Sequence, residues 1–221
     1  MNHVRIREPG DISKIRRSIQ QYDFPFQFLI VLACASAIAF LFLRTSFSDQ
    51  IISLLLSVVW FWTSIFFLYI LAAQVPHFSL FFGIIFALEG FFILYENFFS
   101  DRLTFNFSGS PMNYTGLIFI LTGLIFFPLL GGLLGRNWSE ILTTGMPGPT
   151  ILLTLGFLLI GSKKTPIYLL LVPDFWVFST FFLGLGKFLP EELLIVIFTI
   201  IANIWILSQK KYQKIKNAPL E

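Results

Sequence analysis

The chain has 221 residues, of which 56% are apolar and only 12% are charged, and its mean hydropathy is +0.82. A water-soluble domain carries about 25% charged residues, so this composition excludes a soluble globular protein and predicts a protein whose solvent is the lipid bilayer. The net charge of +3 comes largely from the two ends of the chain, and the sequence lacks the aromatic and basic patch typical of nucleic-acid binding.

Residues 1–23 form a polar and basic N-terminal segment. Ile12, Ile15, Ile19 and Tyr22 recur at helical spacing, which suits a helix on the membrane surface whose basic side faces anionic lipid headgroups. A solvated tail explains the same residues equally well. The basic tail 209–221 indicates a second contact with anionic headgroups.

Residues 24–208 are predicted to be a transmembrane helical domain. A full span needs about 20 residues at 1.5 Å per residue, and six apolar segments meet or approach that length. They are Phe24–Leu43, Ile51–Ala73, Phe78–Phe99, Thr115–Gly135, Ile167–Gly186 and Glu191–Ser208. We expect Pro128 to kink one of these segments and Pro173 to interrupt another. The predicted fold is an all-α, polytopic transmembrane helix bundle.

The hydropathy pattern breaks near its centre, at Gly145-Met146-Pro147-Gly148-Pro149-Thr150. Two prolines and two glycines in six residues are incompatible with a helix interior. The apolar run that follows, Pro149–Gly161, reaches only about 20 Å, against about 30 Å for the hydrocarbon core. Broken segments at membrane depth often carry the polar chemistry of membrane proteins.

The positive-inside rule distinguishes two topologies. If all seven segments cross, the 15 Lys and Arg residues divide seven to eight, which favours neither orientation. If Pro149–Gly161 enters and leaves on one side, twelve of the 15 lie on the cytoplasmic side, and Arg44, Arg102 and Lys187 lie outside. This asymmetry predicts six full spans plus one short broken helix, re-entrant or half, with both termini cytoplasmic.

Three polar side chains lie centrally in predicted spans: Glu89, Asp174 and Asn203. An ionisable group at the bilayer centre normally faces the protein interior or water, so Glu89 is either a proton, cation or substrate site or a carboxyl held neutral by burial. For Asp174 a structural role is favoured, because Pro173 frees a backbone carbonyl beside it. Asn203 fits an interhelical hydrogen bond.

The break itself has three interpretations. If Pro149 begins a helix, the N–H groups that follow, including that of Thr150, favour an anion or a carboxylate. The carbonyls of residues 145–148, which include Gly145 and Gly148, are instead candidate ligands of a cation. A tight turn packed against neighbouring helices is the third interpretation. A sharper hypothesis places Glu89 or Asp174 against this helix start, where they form a small polar site.

No metal site or cofactor is predicted. Cys34 is the only cysteine, and neither His3 nor His77 has a metal-ligand partner at useful spacing. An intramembrane enzyme is the least favoured class, because no nucleophile–base pair is visible.

The order and spacing of several short motifs carry a family resemblance. The motifs are Trp60-x-Trp62, Leu88-Glu89, Pro147-x-Pro149-Thr150, Leu171-Val172-Pro173 and Pro190-Glu191-Glu192. Together they resemble a bacterial family of uncharacterised multi-pass integral membrane proteins, a domain of unknown function. The resemblance covers about Phe24 to Leu207 and implies the fold but no activity. Members are expected to carry cysteine in place of Gly148 and glutamine in place of Glu89, which argues against an essential thiol or an essential carboxylate at these positions.

The sequence favours an inner-membrane protein that binds or passes a small solute or an ion through a polar site at the broken helix, near Thr150, Glu89 and Asp174. The alternative is a non-catalytic structural or partner-binding subunit in which the break is only a packing turn. A protein partner or a homo-oligomer is compatible with both.

Overall fold

The computed structural model describes residues 28–71, 76–100, 102–135, 144–161, 166–182 and 190–216, and this part of the chain is almost entirely helical. The predicted surface segment 1–23 lies outside it. The helices are α1 (Phe28–Leu43), α2 (Ser48–Ile65), α3 (Pro76–Phe98), α4 (Pro111–Leu121), α5 (Phe127–Leu133), α6 (Pro147–Ile160), α7 (Leu171–Phe182) and α8 (Pro190–Lys216).

Four helical stretches are long and apolar enough to cross a bilayer: Ser48–Leu68, His77–Phe98, Pro111–Leu133 and Leu193–Lys211. Three apolar helices are shorter: Phe28–Leu43, Pro147–Ile160 and Ile167–Thr180. Over the described residues the fold is therefore all-helical, with four candidate membrane-spanning helices. Six full spans stay a prediction, since parts of three of them, residues 24–27, 72–73 and 183–186, lie outside the described residues. The helix α8 continues beyond the predicted end at Ser208 into the basic tail.

Two prolines, Pro128 and Pro173, lie close to irregular stretches of helix. Pro128 lacks an N–H and crowds the preceding turn, and the wider π-helical turn Thr122–Phe126 directly before α5 accommodates it. Pro173 does not interrupt the middle of its segment as expected. It lies in the first turn of α7, where no N–H is needed, and the change of helix type falls earlier, between the 3₁₀ turn Ile167–Leu170 and α7.

Two contacts between α2 and α3 show in which direction these helices run relative to each other. Ser64 donates a hydrogen bond to the Gly83 carbonyl at 2.7 Å, and a Cβ on Gly90 would lie 3.2 Å from the Ser57 carbonyl oxygen, so α2 and α3 are antiparallel. The loop 102–110 follows α3, and we call that end of the bundle the loop end. The start of α7 also lies there, because the Tyr168 hydroxyl donates to Glu96.

The short helix α6 lies in the centre of the bundle, and all of its residues are buried. It runs antiparallel to α4: a Cβ on Gly116 would approach the Gly156 carbonyl oxygen to 2.5 Å, and one on Gly123 would approach that of Pro149 to 2.7 Å. An isolated antiparallel bridge between Phe105 and Gly161 places the end of α6 at the loop end.

This arrangement does not support the re-entrant interpretation. The continuous helical stretch Pro111–Leu133 leads away from the loop end, and α6 leads back to it. Gly135 and Gly161, which precede Arg136 and Lys163, therefore lie at opposite ends of the bundle. The twelve-to-three asymmetry that favoured re-entry requires those two cations on one side, whereas the helix directions favour a half helix within a crossing segment.

The first and last helices both run toward the loop end. Ile30 lies beside Gly145, deep in the bundle, whereas the ring of Phe42 lies 5.4 Å from that of Phe107 in the loop. At the other end of the chain, Lys210 is within electrostatic range of Arg102. The described chain therefore begins beside the turn at Gly145 and ends near the loop end, and the cytoplasmic location of both termini stays a prediction.

Candidate functional site

The sequence break forms a turn in which the backbone N–H and carbonyl of Gly145 are both hydrogen-bonded. Gly145 has φ +101°, a conformation that favours glycine, and its N–H donates to Thr150 Oγ1 at 3.0 Å. Thr63 on α2 donates to the Gly145 carbonyl at 3.1 Å. A Cβ on Gly145 would lie 3.0 Å from both Ile30 and the Trp62 ring, so the turn is tightly enclosed.

The start of α6 offers little to an anion. The helix begins at Pro147 rather than at Pro149, and both prolines lack an N–H. Gly148 is the only one of its first three residues with an N–H, and a Cβ there would lie 2.5 Å from Ile195 Cδ1. The Thr150 N–H donates to the Met146 carbonyl at 3.1 Å. These contacts favour the packing turn among the three interpretations of the break.

A hydrogen-bonded chain ties α2 to the broken helix. The Trp60 indole N–H donates to Thr154 Oγ1 at 2.9 Å, and Thr154 donates to the Thr150 carbonyl at 2.9 Å. In the sequence Trp60 stands out only as part of the motif Trp60-x-Trp62, which does not reveal this hydrogen bond. The available signal was the pair Thr150 and Thr154, spaced one turn apart in an otherwise apolar helix and so on one face.

Asp174 and Asn203, two of the predicted site residues, meet between α7 and α8. Asn203 Nδ2 donates to Asp174 Oδ1 at 2.6 Å and to the Thr199 carbonyl at 3.0 Å. The expected interhelical hydrogen bond of Asn203 is therefore present, and its partner is the carboxyl group of Asp174.

Asp174 also lines a groove between α3 and α7 with a volume of about 710 Å³. Phe81 and Leu171, on its two sides, are 51% and 62% exposed, so the groove opens on the outer surface of the bundle. Apart from Asp174 and Tyr168, its lining is apolar. The lining residues are Phe81, Ile85, Leu88, Phe92, Tyr168, Leu171, Val172, Asp174, Phe175 and Phe178.

Glu89 lies elsewhere, on the inner face of α3. Its side chain is fully buried, and neither carboxyl oxygen has a hydrogen-bond partner among the residues that the structure describes. Within the same part of the chain, no hydrogen bond links Glu89 or Asp174 to the turn at Gly145–Thr150. The predicted site residues therefore occupy three separate places: the turn, the groove and the inner face of α3.

A second buried carboxyl group, that of Glu96 near the end of α3, was not predicted from the sequence. Arg102 Nε lies 3.0 Å from Glu96 Oε2, and the Tyr168 hydroxyl donates to Oε1. This cluster fixes the loop that follows α3, because the Arg102 and Leu103 N–H groups also donate to the Glu96 carbonyl. Glu96 follows Glu89 by seven residues, which is two turns along the same helix face. This spacing could have identified Glu96 as a second inward-facing carboxyl group.

Comparison with known proteins identifies the family but brings no activity. A search of curated proteins and a search of solved structures return no match. Over residues 17–217 the chain matches the model of a family described as "Family of unknown function (DUF6064)". The match extends over most of the sequence and agrees with the expected membership of an uncharacterised family. The chain belongs to this family of unknown function.

Proposed function

We propose that the protein is an integral membrane protein that binds small lipophilic amines in the groove between α3 and α7. The observation that carries the proposal is Asp174, the only carboxyl group in an otherwise nearly apolar groove. A concave apolar site of about 300–1,000 Å³ with few polar groups is typical of small-molecule binding. The proposal keeps the expected class, a small solute, and moves its site from the broken helix to the groove.

The chemistry of the lining favours an amine. An ionised carboxyl group only accepts hydrogen bonds, and Asn203 engages one oxygen of Asp174. The Tyr168 hydroxyl is committed to Glu96, so Asp174 is the group available to a ligand. Aromatic rings such as Phe81 and Phe175 line the same groove and suit both an alkyl chain and a cation.

Lateral entry from the bilayer suits this geometry. The groove opens between two membrane helices whose lining side chains are exposed on the outer surface. A solute that partitions into the lipid reaches Asp174 without crossing the packed core around α6. We do not place the solute at the turn, because it is tightly enclosed by Ile30, Trp62 and Ile195 and the polar groups of Gly145 are hydrogen-bonded within the protein.

The test is the thermal unfolding of the purified protein in lipid nanodiscs, with dodecylamine and dodecanol as probes of equal chain length. A ligand that binds only the folded state raises Tm, and we expect dodecylamine to raise it more than dodecanol does. A hydrogen bond to a charged group contributes about 1.5–3 kcal/mol. Asp174→Asn should therefore weaken dodecylamine binding by about tenfold or more and leave dodecanol binding unchanged.

Two tryptophan variants test the location. Leu171→Trp fills the groove and should abolish the response to both probes. Leu129→Trp is the matched control, because Leu129 is similarly exposed, at 59%, on α5 and does not line the groove. An Asp174→Asn protein that binds dodecylamine like the parent would refute the proposal.

The alternative is a structural or partner-binding subunit. It is favoured by the hydrogen bonds that hold the turn at Gly145 and by the complete burial of α6. Protein-dependent solute flux into reconstituted vesicles would favour permeation over a structural subunit, since a structural subunit passes no solute. A stoichiometric partner that co-purifies with the chain would favour the subunit. For either function we propose the bacterial inner membrane as the location, with anionic headgroups at the basic ends of the chain.

A further inference from the structure

One face of α3 is buried along its whole length and carries two carboxyl groups. Its residues recur at spacings of three and four, and each is at most 2% exposed. Helical periodicity places them in one stripe. They are Phe82, Phe86, Glu89, Ile93 and Glu96.

The two carboxyl groups differ in their partners. Glu96 is paired with Arg102 and Tyr168 near the loop end. Glu89 lies two turns deeper, about 10 Å along the helix, and both of its oxygens lack a hydrogen-bond partner among the described residues. A buried polar atom without a partner is rare and calls for an explanation, such as a bound water or ion.

Three of the other buried polar atoms that lack a hydrogen-bond partner in the described part of the chain lie between Glu89 and the loop end. They are Gln50 Oε1 and Ser53 Oγ on the first turns of α2, and Asn97 Oδ1 near the end of α3. We call these three the polar line. Because α2 and α3 are antiparallel, all three belong to the half of this helix pair nearest the loop end. Clustered polar atoms of this kind suit buried water.

The ionisable groups around Glu89 are few. The elements packed against α3 are α2, the π-helical turn Phe66–Leu71, the 3₁₀ turn and α7. Asp49 on α2 accepts a hydrogen bond from the Phe105 N–H, Tyr168 and Arg102 are bound to Glu96, and Asp174 is bound to Asn203. The side chain of Tyr69, in the π-helical turn, is not described. The remaining ionisable residues of α3 itself are His77 and Tyr95.

We propose that Glu89 is an intramembrane proton-binding site, which exchanges its proton with water at the loop end through the polar line. The step is simple: a proton from hydronium adds to a carboxylate oxygen of Glu89, which releases water, and the reverse step returns it. The half-exposed Arg102 side chain and its pair Glu96 mark the aqueous entrance. The proposal is independent of the amine-binding groove.

The test is infrared difference spectroscopy of the whole protein in lipid, titrated with pH in H₂O and in D₂O. We expect a carboxylic-acid C=O band that changes with pH, shifts to lower frequency in D₂O, and is absent from Glu89→Gln. Asp174→Asn, which removes the other central carboxyl group, should retain the band. A band that persists in Glu89→Gln would overturn the proposal.

Separate variants test whether the proton reaches Glu89 through the polar line. Ser53→Ala removes a hydroxyl from the polar line and should slow the deuterium shift of the band severalfold. Ser79→Ala is the matched control: Ser79 is also buried without a partner among the described residues, but it lies on the opposite half of α3. Equal exchange rates in the two variants would overturn the route. Should Glu89→Gln fail to fold, Glu89→Asp must displace the C=O band, and an unmoved band would overturn the site.

Discussion

The hydrogen bond between Trp60 and Thr154 joins two helices in the centre of the bundle, where the indole N–H of Trp60 would otherwise be buried without a hydrogen bond. Its length of 2.9 Å is normal for an N–H···O bond. Interhelical hydrogen bonds in membrane proteins contribute about 0.6 kcal/mol on average and up to about 1.7 kcal/mol. Trp60 is also in contact with the ring of Phe86 at 5.5 Å, so it links α2, α3 and α6.

A double-mutant cycle with Trp60→Phe and Thr154→Val measures this bond. We expect a coupling of about 0.6–1.7 kcal/mol in the free energy of unfolding in mixed micelles. The control cycle pairs Trp60→Phe with Thr199→Val, because the Thr199 hydroxyl is buried without a partner among the described residues. A coupling near zero in the first cycle, or equal couplings in both, would show that the bond does not stabilise the fold.

At the scale of single residues, the sequence identified polar positions but not their partners. Asp174 and Asn203 stood out as polar residues in apolar segments, and they are 29 residues apart in the chain, so only the packing of α7 on α8 could bring them together. Glu96 was overlooked because it lies near the end of a span, where a carboxyl group normally reaches water. Its burial results from Tyr168 and Arg102, which the fold places over it.

At the scale of helices, glycines determine how closely α4 and α6 approach. Gly116 and Gly156 face each other, and a Cβ on either would lie within 2.6 Å of the other's carbonyl oxygen. Small residues at such a contact allow the close backbone packing that drives helix association in membranes. Because α6 is buried on all sides, its position depends on this contact.

Gly116→Ala should therefore destabilise the protein by roughly 1–3 kcal/mol, the cost of overpacking a tight contact. Gly132→Ala is the control, because nothing lies within 4 Å of a Cβ there, and it should be neutral or stabilising by about 0.5–1 kcal/mol. The free energy of unfolding in mixed micelles checks both. Equal effects of the two substitutions would mean that α4 and α6 are not in close contact.

The helices themselves were largely predictable, whereas their irregular turns were less so. Hydropathy alone located the apolar segments of α2, α3, α4 with α5, and α8, because lipid requires each span to satisfy its own backbone hydrogen bonds. Pro128 was correctly expected to disturb its helix. Pro173 was expected to interrupt the middle of a segment, but it lies in the first turn of α7. The sequence does not reveal that α7 begins only at Leu171.

At the scale of the whole molecule, the directions of the helices decide the topology. Gly135 and Gly161 lie at opposite ends of the bundle because α6 returns antiparallel to α4. The positive-inside rule gave the other answer. It favours re-entry because that topology places twelve of the 15 Lys and Arg residues on one side, whereas seven crossings divide them seven to eight.

Thiol labelling in intact cells tests this directly, in a Cys34→Ala background with one cysteine placed at Arg136 or at Lys163. We expect the two positions to react with a membrane-impermeant maleimide from opposite sides of the membrane. Labelling of both from the cytoplasm would restore the re-entrant topology. A cysteine at Lys210, near the loop end, is the control and should label from the same side as the one at Lys163.

The sequence by itself indicated a membrane protein, a helical fold and the place where the chain breaks, because these follow from local apolar content and from proline and glycine. Only the tertiary structure decided which polar residues meet, that the break is a packed turn, and that a groove beside Asp174 and an unpaired Glu89 are separate candidate sites. Those properties depend on contacts between helices distant in sequence. In a membrane almost every apolar helix surface is compatible with lipid, so the hydrophobic pattern carries little information about which faces pack together.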